Sequence, residues 1–114
     1  MKLPNPDRAI IPEEKLSGYC LNPQHQEGGK DKARVFRAAL DLGPEHSDEL
    51  RSALIQAIQN YEAIIDKQSE YGIKYAIFFP MTRGDKQATI KSIWIVHHEE
   101  DFPRLVSCYV VKNK

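Results

Sequence analysis

A chain of 114 residues is about one domain in length, enough to bury a hydrophobic core without disulfide or metal staples. Sixteen Lys and Arg balance sixteen Asp and Glu, and 41% of the residues are apolar, which excludes disordered, fibrous and disulfide-rich classes. With no net charge, any site for a polyanion must be a local patch.

The longest apolar runs, 75–79 and 93–96, fall far short of the roughly 20 residues that span a bilayer, so no membrane partner is expected. The opening residues 1–7 lack the apolar stretch of a secretory signal. Cys20 and Cys108 form no CxxC pair, and two reduced thiols in a cytoplasmic protein are expected.

Residues 1–11 carry Pro4 and Pro6 and read as an extended arm that packs through Ile10 and Ile11. Pro12 suits the first position of a helix, with Glu13 and Glu14 in its first turn and Leu16, Tyr19 and Cys20 on one side. Asn22-Pro23 stops it, and 24–30 form a polar loop. Asp31 is the expected cap of a second helix over 32–42, with Val35, Phe36, Ala39 and Leu40 as its apolar stripe and Gly43-Pro44 as its end. A third helix runs from Ser47 or Asp48 to about Tyr61, where Leu50, Leu54, Ile58 and Tyr61 recur at helical spacing.

From Ile73 the period changes to alternation, and Pro80 is the expected end of a first strand. Residues 89–96 and 105–111 read as two more strands, joined through a charged turn at 97–101. The predicted fold is α+β: one domain over 1–114, about three helices followed by a three- to four-stranded antiparallel meander, with the helices on one face.

Chemistry concentrates at the entrance to the second helix. Lys30, Lys32 and Arg34 set three cations where the backbone already carries partial positive charge, an arrangement that favours a bound anion. Lys30 and Arg34 are therefore candidate phosphate-binding residues. Gly28-Gly29-Lys30-Asp31 lacks the spacing and the Ser or Thr of a nucleotide P-loop. His25 lies just upstream, and imidazole is the side chain suited to acid–base work near neutral pH. On the last strand, alternation sets Ser107 and Tyr109 on one face with Leu105, and Arg104 on the other with Val106 and Cys108. Adjacent His97 and His98 would point to opposite faces, so no metal site is expected, and no cofactor motif is found. His46 reads as a residue near the start of the third helix, and the cysteines read as core.

The run Leu16-Ser17-Gly18-Tyr19-Cys20-Leu21-Asn22-Pro23-Gln24-His25, followed by Gly28-Gly29 and Lys32-Ala33-Arg34-Val35-Phe36, resembles the opening signature of a family of small bacterial domains of unknown function. These occur alone and at the C-termini of secreted polymorphic toxins. Glu70-Tyr71-Gly72, Trp94 and the block 103–110 resemble its closing motifs, so the likeness covers about residues 2–111. The toxin setting implies similarity to metal-independent ribonucleases of the barnase–EndoU–colicin–RelE kind. That resemblance implies a catalytic set of His25, Lys32, Arg104, Ser107 and Tyr109, with RNA as partner. Two departures stand out: Gln26 occupies a position where the family pattern implies proline, and the chain is neutral where many toxin ribonucleases are basic.

In the cleavage so implied, a base takes the 2′-hydroxyl proton, the oxygen attacks phosphorus, and an acid protonates the leaving 5′-oxygen. The rival expectation is a non-catalytic module that binds a cognate small antitoxin or immunity protein. A third is a sensor of small phosphates or nucleotides, which shares the anion site but not the hydrolysis.

Overall fold

The computed structural model describes residues 1–25 and 29–111. Three helical segments precede four strands. The first, α1 (Glu13–Lys15), continues as a π-helical turn (Leu16–Cys20); α2 (Gly29–Leu40) and α3 (Ser47–Asn60) follow. The strands β1 (Ile64–Gln68), β2 (Gly72–Arg83), β3 (Lys86–His97) and β4 (Arg104–Val111) form an open antiparallel sheet in the order β1-β2-β3-β4. The α+β meander expected from the sequence is the architecture found.

One face of the sheet is buried. Tyr75, Ile77, Phe79 and Met81 of β2 lie beside Trp94, Ser92, Ile90 and Ala88 of β3, and the helices contribute Phe36, Leu40, Leu50, Leu54 and Ile58 to the same core. Trp94 is fully buried, and its indole N–H donates to Ser92 Oγ at 2.9 Å. That hydroxyl in turn donates to the Ile77 carbonyl at 3.0 Å. Both polar groups inside an apolar layer are thus satisfied, as burial requires. On the opposite face of β2 and β3, Lys74, Phe78, Lys91, Ile93 and Ile95 are only partly buried or exposed, with Ala76 buried among them.

The arm is tethered as well as packed. Leu3 and Ile11 are buried, and Ile10 makes a parallel bridge to Arg104, its N–H donating to the Pro103 carbonyl at 3.0 Å. A short 3₁₀ turn (Pro6–Arg8) interrupts the extended course expected there.

Four local expectations are corrected. The first helix loses regular α geometry after Lys15: the Leu21 N–H reaches back five residues to the Leu16 carbonyl at 2.8 Å, the wider spacing of a π turn. This buries Leu16 and Cys20 and leaves Tyr19 partly exposed. Second, α2 begins at Gly29, so Asp31 sits in its first turn and pairs with Arg34 at 3.1 Å rather than capping. It ends at Leu40 because Asp41 takes a left-handed φ of 54° and turns the chain.

Third, Pro80 does not end its strand. β1 pairs with β2 only over Ile73–Ala76, so β2 is unpaired on that side at Pro80, where a missing N–H costs no ladder bond. The hairpin closes later, at Gly84 with φ 62°, between paired Arg83 and Lys86. Fourth, Ser107 pairs with Ile93 but Leu105 with Trp94, so β4 bulges by one residue at Val106. The expected alternation fails there: Leu105 and Cys108 both join the core cluster, and Cys108 pairs with Ser92.

Candidate functional site

The wide turn of the first helix carries Tyr19 toward the start of α2, and Tyr19 becomes a hub. Its ring meets that of His25 edge to face, with centroids 4.7 Å apart. Its hydroxyl accepts a hydrogen bond from Lys32 Nζ at 3.2 Å, and the same ammonium lies 5.1 Å from the Tyr19 ring centroid. Lys32 is also 5.7 Å from the centroid of Tyr109 on β4, an edge strand. Lys91 of β3 is 5.9 Å from that ring and 5.6 Å from the ring of Phe78 on β2. Rings and cations therefore alternate from His25 and Tyr19 through Lys32, Tyr109 and Lys91 to Phe78. Each lysine–ring contact is of cation–π range.

Beside this track, Glu14, Lys15, Gly18, Tyr19 and His25 line an open cleft of ≈ 440 Å³. A carboxylate, an ammonium, a phenol and an imidazole so share one concavity. Gly29 packs against the same loop: a Cβ there would stand 2.6 Å from His25 Cβ and 2.7 Å from the Tyr19 carbonyl oxygen. The backbone of α2 thus approaches His25 as closely as only glycine permits.

Of the residues singled out from the sequence, His25 and Lys32 meet through Tyr19, and Tyr109 joins them through Lys32. Ser107 lies behind them, buried, its Oγ 3.9 Å from Cys20 Sγ. Arg104 lies five residues before Tyr109, roughly 16 Å along an extended strand at about 3.3 Å per residue. There its guanidinium donates to both oxygens of Glu100, at 2.8 and 2.7 Å. That pair holds the Glu100 carboxyl below, and the Arg104 guanidinium above, their usual pKa values.

Lys30 and Arg34, each two positions from Lys32, fall on nearly the opposite side of α2. They line a separate groove of ≈ 520 Å³ floored by Leu21, Ala33 and Leu42, with Arg37 beside them. Arg34 is paired with Asp31, and Arg37 with Asp41 and Glu45. Gln26, Glu27 and Gly28, including the departure at Gln26 and the first glycine of the pair, lie outside the described residues.

His97 and His98 bond carbonyls of the β1–β2 connection, Tyr71 at 3.3 Å and Ser69 at 3.1 Å, and His46 Nδ1 accepts the Gly43 N–H at 3.0 Å.

Glu14, Lys15, Tyr19, Lys91 and Phe78 are absent from the sequence-based set. Phe78 left a signal: alternation sets it opposite Ile77 and Phe79, and an aromatic ring on the less buried face of a sheet is unusual. Tyr19 left none, since its spacing from Leu16 reads as core.

Cys20 Sγ accepts the Cys108 backbone N–H at 3.4 Å. The Cys108 thiol, both Cys108 and Ser107 donors and the nearby Lys32 charge lower the Cys20 pKa to about 7 against the opposing cost of burial. Cys108, facing that sulfur and fully buried, is pushed up.

Among the described residues no helix is long and apolar enough to cross a membrane. None of the curated proteins and none of the solved structures compared with the chain matches it. A family model does: residues 2–112 match the one described as "Domain of unknown function (DUF6883)", and the chain belongs to that family.

Proposed function

We propose that this domain binds single-stranded RNA and cleaves it without a metal ion, at the cleft between α1 and the loop that precedes α2. The observation that carries the reading is the meeting of His25, Tyr19, Lys32 and Tyr109 beside a cleft that also holds Glu14 and Lys15. Acid–base groups, fixed cations and stacking surfaces are what cleavage of a flexible polyanion needs, and the cation–ring track suits splayed bases.

In this mechanism the His25 imidazole and the Glu14 carboxyl divide the proton work. One takes the 2′-hydroxyl proton as that oxygen attacks phosphorus; the other protonates the departing 5′-oxygen, leaving a 2′,3′-cyclic phosphate. Lys15 and Lys32 neutralise the growing charge on the phosphate oxygens. Because Lys32 already donates to the Tyr19 oxygen, the Tyr19 O–H is directed away from it and can donate to the phosphate. The rings of Tyr109 and Phe78 would carry neighbouring bases. Arg104 and Ser107 are held by Glu100 and Cys20, so the phosphate falls to the lysines.

The test is incubation of the purified protein with total RNA and with tRNA, with and without EDTA. Cleavage is expected in both conditions and should fall by about 100-fold or more in folded His25→Ala and Lys32→Ala variants. RNA left intact, or cut equally by the variants, refutes the reading.

A second reading, a module for a cognate antitoxin or immunity protein, draws on Ile64 and Ile65, adjacent on edge strand β1 and 57% and 55% exposed. An apolar edge can accept a partner strand. On that reading RNA stays intact and a partner protects β1 amides from exchange.

A further inference from the structure

We propose that Cys20 and Cys108 are a thiol-modification site, a pair that peroxide converts to a reversible disulfide tying the π-helical turn to β4. The two residues are 88 positions apart, yet the Cys108 backbone N–H donates to Cys20 Sγ at 3.4 Å. Ser107 Oγ stands 3.9 Å from the same sulfur. The backbone N–H of Cys108 addresses the Cys20 sulfur and Ser107 stands beside that same sulfur, so the pair is asymmetric. An apolar pocket would keep both thiols protonated and inert, whereas this one stabilises negative charge on one of them. The lowered pKa of Cys20 and the raised pKa of Cys108 agree with that division.

The chemistry balances with peroxide as the only co-reactant. The Cys20 thiolate attacks one oxygen of hydrogen peroxide, the O–O bond breaks, hydroxide leaves, and Cys20 becomes a sulfenic acid. Cys108 sulfur then attacks Cys20 sulfur; the S–O bond breaks, and the Cys108 proton leaves with the hydroxyl as water. The backbone contact already sets the two residues side by side, and the sulfurs must close to the ~2.05 Å of a disulfide. Two electrons pass from the thiols to peroxide, and a dithiol reverses the change. Neither sulfur meets solvent, but Cys108 lies on edge strand β4, whose opening disrupts pairing with one neighbouring strand. Oxidation is therefore slower than at an exposed thiol.

The site also adjoins the RNA-binding cluster, since Tyr19 precedes Cys20 and Tyr109 follows Cys108; the inference nevertheless stands without the RNA reading. It is tested by exposing folded protein to hydrogen peroxide, alkylating residual thiols after unfolding, and mapping peptides by mass spectrometry. The expected product is one intramolecular Cys20–Cys108 crosslink that dithiothreitol removes. Dimedone should label Cys20 in the Cys108→Ser variant. Recovery of both thiols in full, or crosslinks only between molecules, overturns the proposal even if RNA cleavage is found.

Discussion

The Tyr19 hydroxyl, the Lys32 ammonium and the His25 ring show how single side chains acquire chemistry from position. His25 and Lys32 stand out in the sequence because an imidazole near a glycine pair and a lysine in a helix's first turn are unusual choices. Tyr19 was hidden, because a tyrosine three residues after a buried leucine looks like core until the π turn widens the helix. The pairing of Arg104 was hidden for the reverse reason: its partner Glu100 sits in the preceding turn, where the sequence offers Glu99 and Asp101 as equal alternatives. At the same scale, Ser92 has a structural duty toward Trp94. Ser92→Ala leaves the buried indole N–H without its acceptor and should lower stability by about 1–3 kcal/mol, read from urea unfolding. An unchanged midpoint would show that the indole finds another acceptor.

At the scale of elements, helices were easier to read than the breaks in them. The stripe of Leu50, Leu54 and Ile58 in α3 emerges as a buried face because helical spacing and burial agree along its whole length. β1 gave no signal: all five residues are exposed, and a bulge between Ile65 and Lys67 breaks any alternation. The bulge at Val106 was equally invisible, since it depends on the register with β3 rather than on local sequence. Gly72 marks another constraint of this kind. A Cβ there would collide with the Val96 carbonyl oxygen and lie 2.8 Å from His97 Cα, both backbone. Gly72→Ala should force β2 and β3 apart at that end and cost about 1–3 kcal/mol, with faster amide exchange localised to His97 and its neighbours.

Across the whole molecule, ion pairs reinforce joints that the core already makes. Arg83 on β2 binds Glu49 on α3 at 2.9 Å and donates to the Asp41 carbonyl at the end of α2. Arg83 and Arg104 hold the Glu49 and Glu100 carboxyls below their usual 4.5, so the unfolded chain binds more protons than the folded one just below that pH. Their stabilisation is fully present above 4.5 and is lost as pH falls through the lowered values. The melting temperature should therefore decline on acidification, less steeply in Glu49→Gln and at high salt, because the Glu49 carboxylate is exposed and that of Glu100 partly so. A decline that the Glu49→Gln variant reproduces in full would contradict this.

The molecule thus sets its helices over one sheet face and runs the imidazole, lysines and rings past edge strand β4 onto the opposite face. The most direct test compares a labelled single-stranded RNA oligonucleotide with its all-2′-deoxy counterpart, both incubated with the protein in chelator. The RNA should be cut to fragments ending in 2′,3′-cyclic phosphate while the DNA stays whole, because only ribose supplies the attacking hydroxyl. Scission of both strands, or of neither, would contradict the proposed chemistry.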